Sequence, residues 1–596
     1  MNYFEQREES RRRTRLAWLL YGLALGVLAV LVDVVLAAAW RWGFPEIYGT
    51  SVPPMLYVLG ALVTVALVGG ATLRDVLRLR AGGEALARLL GARRVPPETR
   101  DTLERRLVNI LEETAIAAGT RVPALYVMDT EPAINALAAT TETSGAVLVV
   151  TRGALQTLNR DELQGVVGHE LCHLISGEAE LHLRMLPLAR GLGALPYAGR
   201  ALARFMKSSL TRSREYAADA GAAQFIANPT GVAGALDQVR ASAAGALLAH
   251  RYAEPLSHAF FGAPVKPLLP GLFSSHPPLD ERIRRVLPSF VADDYRARRA
   301  RAAAEAPEAP QRPTTAEGKR AGDQAHRWWR TPEESLGFIG TLQPGKLDYA
   351  RRLMEVLPQQ AREALRKKEG APAVVMALML APHEEVMQRQ VAAAKAAGAG
   401  GLADAAAAAA PQIASLSQEL RMAAVELALP ALQLAPADAR ARLVASLDAV
   451  VRADRRASLH ASVVLAWLRI GLGLTAHAGA GRGLAALSPE SALVLSLVAH
   501  TTGTGAAEVE AAFRAGAKLL GVEGAVPEPR EKLSSERCSA AIERLRALGW
   551  PAKAGLMRAL FAAVAADGKV RLSEAQAMRF LGSCLGCPMP PLLEAL

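Results

Sequence analysis

Two apolar runs near the amino end constrain this chain most, residues 16–40 and 55–73. The first contains one charged residue, Asp33, and the second contains none. Each is long enough to cross a hydrocarbon layer as a helix. A cleavable leader is the rival reading of the first run, since Ala37-x-Ala39 offers a small-residue cleavage site. The run is long for a leader's apolar core, and a second run follows at once, so two transmembrane helices are expected. Arg7, Arg11, Arg12, Arg13 and Arg15 precede the first run, and Arg74, Arg78, Arg80, Arg88, Arg93 and Arg94 follow the second. The loop between carries only Arg41 and Glu46. This bias places both flanks in the cytoplasm. Asp33 is costly in mid-membrane and is expected to be paired, in a polar crevice or near an interface.

His169-Glu170-Leu171-Cys172-His173 reads H-E-x-x-H. On a helix, residues four apart share a face, so both imidazoles can bind one metal ion. Glu170 lies where a carboxylate can take a proton from water at that metal. Asn159 and Glu162 form a capping-box signature, Asp161 and Glu162 complement the helix dipole, and Gly177 is a stop signal. A catalytic metal site needs a third protein ligand. The pattern H-E-x-x-H-x-x-G-x-x-H fails, because Ser176 and Ala179 occupy the Gly and His positions. His182 is off that spacing. Glu215 and Asp219 are four apart on an expected helix: one carboxylate can bind the metal while the other accepts a ligand histidine's N–H. Taken alone, such a pair is more often a solvated face with ion pairs to Arg212 or Arg214. The upstream motif reverses those odds.

These segments together resemble the HtpX-like and CAAX prenyl-endopeptidase family of zinc peptidases. The further matches are Asn135-Ala136-Leu137-Ala138, residues 143–153 (T-S-G-A-V-L-V-V-T-R-G), and residues 276–283 (H-P-P-L-D-E-R-I). The order and spacing agree over roughly a third of the chain. The resemblance implies an α+β, gluzincin-like zinc-peptidase domain, mostly helical with a small sheet, behind two transmembrane helices. It implies one zinc per chain on His169, His173 and Glu215, with Glu170 as general base and Asp219 behind the ligands. It also implies that Asn135 and Ala136 hold substrate backbone and that His276 stabilises the oxyanion. The bland alternative for His276 is a loop histidine before a proline turn. Substrate is expected to add to the sheet edge in extended form. The family pattern has further spans between the zinc helix and the third ligand. Residues 181–210 here are basic and interrupted by Pro187 and Pro196, so they do not read as a span. They are expected to lie on the membrane surface, to cover the active site, or to form a plain helical hairpin.

The 596 residues carry a net charge of +12, with much of the excess beside the apolar runs and in a linker. This reads as attraction to anionic lipid, and no interleaved basic and aromatic pattern points to nucleic acid. The four cysteines, Cys172, Cys538, Cys584 and Cys587, make no disulfide framework, and the single C-x-x-C reads as structural. The organisation expected is a basic cytoplasmic segment (1–15), two spans (16–73), a peptidase domain (84–290), a Pro- and Ala-rich linker (292–327) and an all-α region (328–596). Its last stretch, from Gly555, resembles the TerB-like helical module. Aligning Gly568 to an EF-hand loop puts Ala563 and Ala565 where oxygen ligands are needed, so calcium is not expected.

The leading reading is a zinc endopeptidase in the bacterial inner membrane, multi-pass, with its catalytic domain facing the cytoplasm. It would act on membrane or membrane-proximal proteins in quality control. The C-terminal region would bind a partner or recruit substrate, and its removal should spare hydrolysis. The rival is a non-catalytic membrane scaffold with a structural zinc site and a partner-binding helical domain. A third reading is a narrow regulatory protease whose C-terminal region selects one partner.

Overall fold

The computed structural model describes residues 2–591, except 44–50, 142–144, 267–273, 306–330, 415, 417, 455–458, 476–480, 503–504, 523 and 569. Most of it is helix. Helix α1 (Tyr3–Gly43) is unbroken over 41 residues, so the basic segment and the first apolar run form one rod. Helix α2 (Pro54–Arg78) packs beside it, with the Tyr21 hydroxyl 2.7 Å from Thr72 Oγ1. Leu19, Leu23, Val30 and Leu62 remain 71%, 66%, 62% and 61% exposed, an outward apolar face that water would not favour. Asp33 turns toward Gly60 of α2, and its Oδ1 has no hydrogen-bond partner. Of the three expectations for Asp33, pairing is not seen among the described residues. A third helix of sufficient length and apolarity, Leu484–Thr502, has half of its apolar window buried within the helical region.

A four-stranded sheet follows, made of β1 (Arg93–Arg94), β2 (Ala124–Met128), β3 (Ala136–Ala139) and β4 (Val147–Thr151), in the order β1-β2-β4-β3. β2 and β4 are parallel, and β3 pairs antiparallel to β4 with Ala136 opposite Val150. The period-two alternation of a strand divides β2 and β4 between two cores. Leu125, Val127, Leu148 and Val150 join the main core, while Tyr126, Met128, Val147 and Val149 join a second one. Both faces are thus covered, as the uninterrupted apolar run of β4 requires.

Helix α3 (Thr102–Ala118) and helices α4 (Arg160–Ser176), α5 (Glu178–Leu192), α6 (Ala198–Phe225) and α7 (Pro229–Ala241) enclose the sheet. The basic stretch 181–210 is the α5–α6 hairpin. Leu181, Met185, Leu188, Leu192, Met206 and Leu210 bury against α1 and α2, and Arg190 pairs with Asp75 at 2.6 Å.

Two expectations of domain organisation change. The stretch read as a linker begins as an ordered helix, α9 (Ala292–Glu305), after α8 (Leu279–Val286). Tyr295 anchors it, its hydroxyl donating to Glu162 at 2.7 Å, and Arg296 pairs with the buried Asp237 at 2.8 Å. Residues 306–327 lie outside the described residues. The all-α region is also not a free unit. One hydrophobic core runs from Leu107 of α3 to Met589. Arg366 reaches from that region to Asn109 at 2.7 Å and to Glu112, and the Tyr3 hydroxyl donates to Gly586 O at 2.6 Å. Such contacts cross hundreds of residues, which local patterns do not register.

Candidate metal centre

Strand β4 delivers the chain to the site. Thr151 ends the strand and caps the next turn, and Asn159 then opens α4. Its Oδ1 accepts the Glu162 N–H at 2.9 Å, while Glu162 returns a carboxylate oxygen to the Asn159 N–H at 2.8 Å. This is the capping box read from sequence, a feature of about 1 kcal/mol. Gly177 ends the helix at φ 84°, a left-handed conformation that glycine adopts without strain. His169 and His173 therefore project from one face of a fixed, buried helix.

Helix α6 runs alongside and contributes Glu215. A nitrogen of His169, a nitrogen of His173 and an oxygen of Glu215 lie within 4.8 Å of one another, all on buried residues. The two Nε2 atoms are 3.1 Å apart; His173 Nε2 is 3.6 Å from Glu215 Oε1, and His169 Nε2 is 3.8 Å from Oε2. A tetrahedral ion with bonds of about 2.0–2.1 Å separates its ligands by roughly 3.4 Å. The three groups match that spacing.

The outer ring nitrogens explain why the inner ones face each other. His173 Nδ1 is 2.7 Å from Glu178 Oε2, and His169 Nδ1 is 3.0 Å from Asp219 Oδ1 in a bent contact. Carboxylates at both Nδ1 atoms favour the tautomer that, once both rings are neutral, leaves the two Nε2 lone pairs converging. Two lone pairs at 3.1 Å repel unless a cation or proton lies between them. Glu215 Oε2 and both oxygens of Glu170 are also buried without hydrogen-bond partners. A cation-binding centre accounts for all of these groups.

Arg282 organises the far side. Its guanidinium forks onto Asp219 with two bonds of 2.7 Å, donates to Phe261 O at 2.7 Å and lies 3.5 Å from Glu215. Burial opposes charge on Asp219, but Arg282 outweighs it and holds the carboxyl well below the usual range. Burial pushes Glu215 up to about 8, against Arg282 and His173, and pushes Glu170 up to about 7. His169 is driven down to about 4 by burial. For His173 burial acts downward too, but the bond to Glu178 and the nearby carboxylates lift it to about 9.

The structure thus brings together His169, Glu170, His173, Glu215 and Asp219. His276 arrives as well, with Nε2 3.6 Å from Glu215. That nitrogen is 2.6 Å from Phe260 O, so the N–H expected to face an oxyanion is committed to the chain itself. Burial keeps this ring neutral, its pKa down at about 3. Asn135 is placed differently from its expected role. It is fully buried, its amide donates to Ala246 O and Gly262 O, and its oxygen accepts from Ala136 and Gly262 N–H. With two donors and two acceptor sites used, the side chain has nothing left for substrate. It pins residues 246–262 against β3. Ala136 accepts from the Phe261 N–H at 2.8 Å, so part of the outer sheet edge is already paired.

Three residues escaped the sequence reading. Glu178 looks like ordinary first-turn acid, yet it holds His173 and pairs with Arg214. Arg282 carried no assigned role. His182, set aside on spacing, stacks edge-on between His173 and His258, with ring centres 5.3 Å from each.

Residues 101–288 match the sequence pattern of peptidase family M48. The protease HtpX homolog of Dictyoglomus thermophilum is 34% identical over 209 residues, covering 30% of this chain and 68% of that protein. The chain belongs to this family of HtpX-like M48 metallopeptidases. The HtpX homolog of Caldanaerobacter subterraneus is 32% identical over 223 residues, covering 30% of this chain and 70% of its own. That of Streptococcus thermophilus is 24% identical over 322 residues, 48% of this chain and 98% of its own. No solved structure matches the chain. The chain is accordingly a membrane-associated metalloprotease. The family match does not extend to the C-terminal helices, and nothing in these comparisons bears on the TerB-like resemblance.

Proposed function

We propose that the protein is a zinc endopeptidase anchored by α1 and α2, cleaving membrane or membrane-proximal proteins at the cytoplasmic face of a bacterial inner membrane, in a quality-control role. The observation that carries this reading is the convergence of His169, His173 and Glu215 beside an unpartnered, buried Glu170.

Two nitrogens and one carboxylate oxygen are the donor set of an open catalytic zinc site. A zinc ion held there supplies Lewis acidity toward the scissile carbonyl and the attacking water. Glu170, pushed up to about 7, is poised to take a proton from that water near neutral pH and pass it to the leaving amine. Glu178 and Asp219 keep the ligand rings in register, and Arg282 keeps Asp219 charged. Ala136 accepts from the Phe261 N–H and Leu137 bridges Phe260, so the outer edge beside Ala138 is lined by this segment. An extended substrate would pair there, with His276 N–H released toward the oxyanion once Phe260 moves aside. The C-terminal helices would serve a partner while bracing the peptidase core.

The test is cleavage of an unfolded protein by detergent-purified enzyme, with and without zinc, beside Glu170→Gln. Loss of turnover by roughly a hundred- to ten-thousand-fold, with metal content kept, is expected. Unchanged turnover in the variant would overturn the mechanism.

A further inference from the structure

The foot of α1 forms a second site, away from the metal. Arg7 and Arg11 lie 4.5 Å and 5.5 Å from the centre of the Trp550 ring. Together with Ser10, Thr14, Arg184 and Glu180, they line a cleft between α1, the α4–α5 turn at Gly177 and the helix that begins at Trp550. Three arginines and one carboxylate line it, and Glu180 pairs with Arg184 at 2.5 Å, while Arg11 and Glu180 each make a further contact. Among the described residues, Arg7 has no carboxylate within ion-pair reach. A guanidinium stacked on an indole still offers its N–H edges, and that fork suits phosphate oxygens.

Depth favours a lipid source. The outward apolar face of α1 begins with Leu16, Trp18 and Leu19, at 44%, 47% and 71% exposure. Arg11 precedes Leu16 by a helical rise of about 8 Å. Each headgroup layer is roughly 5–8 Å thick. Arg11 and Thr14 therefore sit within the headgroup layer, and the cleft extends outward from them to Arg7, about 13 Å from Leu16, with Trp18 at the boundary where indoles concentrate.

The same cleft touches the zinc helix. Ser10 donates to Gly177 O at 2.9 Å, and Arg7 packs so closely on Gly177 that a Cβ there would stand 2.4 Å from its guanidinium. The next residue is Glu178, which holds His173.

We propose that this cleft binds one phosphate-bearing headgroup of an anionic lipid and that its occupancy steadies the Gly177–Glu178 turn. This rests on α1 crossing the bilayer, and not on the peptidase reading. Native mass spectrometry of the full-length protein, titrated with phosphatidylglycerol or phosphatidylcholine, reads the site without reference to activity. One tightly held phosphatidylglycerol per chain is expected, weakened at least about tenfold in Arg7→Gln/Arg11→Gln, since each charge-assisted bond is worth about that factor or more. Arg184 is exposed, so Arg184→Gln keeps the fold and should weaken the lipid several-fold, which decides the matter if the double variant unfolds. Arg12 and Arg15 are exposed, carry the same charge and do not line the cleft, so Arg12→Gln/Arg15→Gln should leave retention intact. Equal loss in that control would reduce the effect to diffuse attraction and overturn the site. Release of the lipid by inorganic phosphate would overturn the lipid source in favour of a soluble anion.

Discussion

Glu178 accepts the Nδ1–H of His173 at 2.7 Å, five residues beyond it and across a helix break. Asp219, on a different helix, lies 3.0 Å from His169 Nδ1 in a bent contact. Each histidine ring of the candidate site therefore has a carboxylate behind it, and each carboxylate an arginine, Arg214 for Glu178 and Arg282 for Asp219.

Glu178→Gln should weaken zinc binding by about ten- to a hundredfold while leaving the fold in place. Competition against a chromophoric chelator measures it. An unchanged affinity would show that the α4 backbone alone sets the ring.

Removing Arg282 should be costlier. Arg282→Met leaves Asp219 buried beside Glu215 with no counter-charge, and breaking such a buried pair costs about 3–5 kcal/mol. A large fall in the thermal unfolding midpoint in detergent is expected. Its absence would mean that water reaches Asp219.

Protons and metal compete for the same atoms. His173 keeps its proton up to about pH 9 and Glu215 up to about pH 8, whereas His169 has already lost its own above about 4. Zinc uptake at neutral pH must therefore displace protons from His173 and Glu215, about two per ion. The sign follows: affinity climbs as pH rises toward 9 and falls on acidification. Calorimetry in buffers of different ionisation enthalpy counts the protons. A count near zero would contradict the ligand set.

Truncation of the all-α region should not liberate a working peptidase. It would strip Arg366 from the buried Glu112 and uncover the apolar face of α3. Aggregation, or loss of hydrolysis together with a lowered unfolding midpoint, is expected. A soluble, active remnant would show that α3 is braced from elsewhere.

What the sequence revealed was mostly local. The capping box at Asn159, the stop at Gly177, the shared face of His169 and His173, and the pairing of Glu215 with Asp219 follow from helix geometry within one or two turns. What it hid was long-range or doubly used. Glu178 satisfies the rule for an acid in a first helical turn, which conceals its bond to His173. Asn135 lies on the right strand, but its amide is spent on a loop more than a hundred residues away. The docking of Tyr3 on Gly586 joins the two ends of the chain, beyond any periodic signal.

The exposure of the metal-site residues has a kinetic consequence. His169, Glu170 and Glu215 are at most 1% exposed, and Phe261 holds part of the β3 edge. Among the described residues, Phe260 and Phe261 occupy this edge, so an extended chain pairs with β3 only after they withdraw. A measured turnover number would then report how often that gate opens rather than how fast the bond breaks, and substitutions at Asn135 or Phe260 would alter throughput without touching the chemistry.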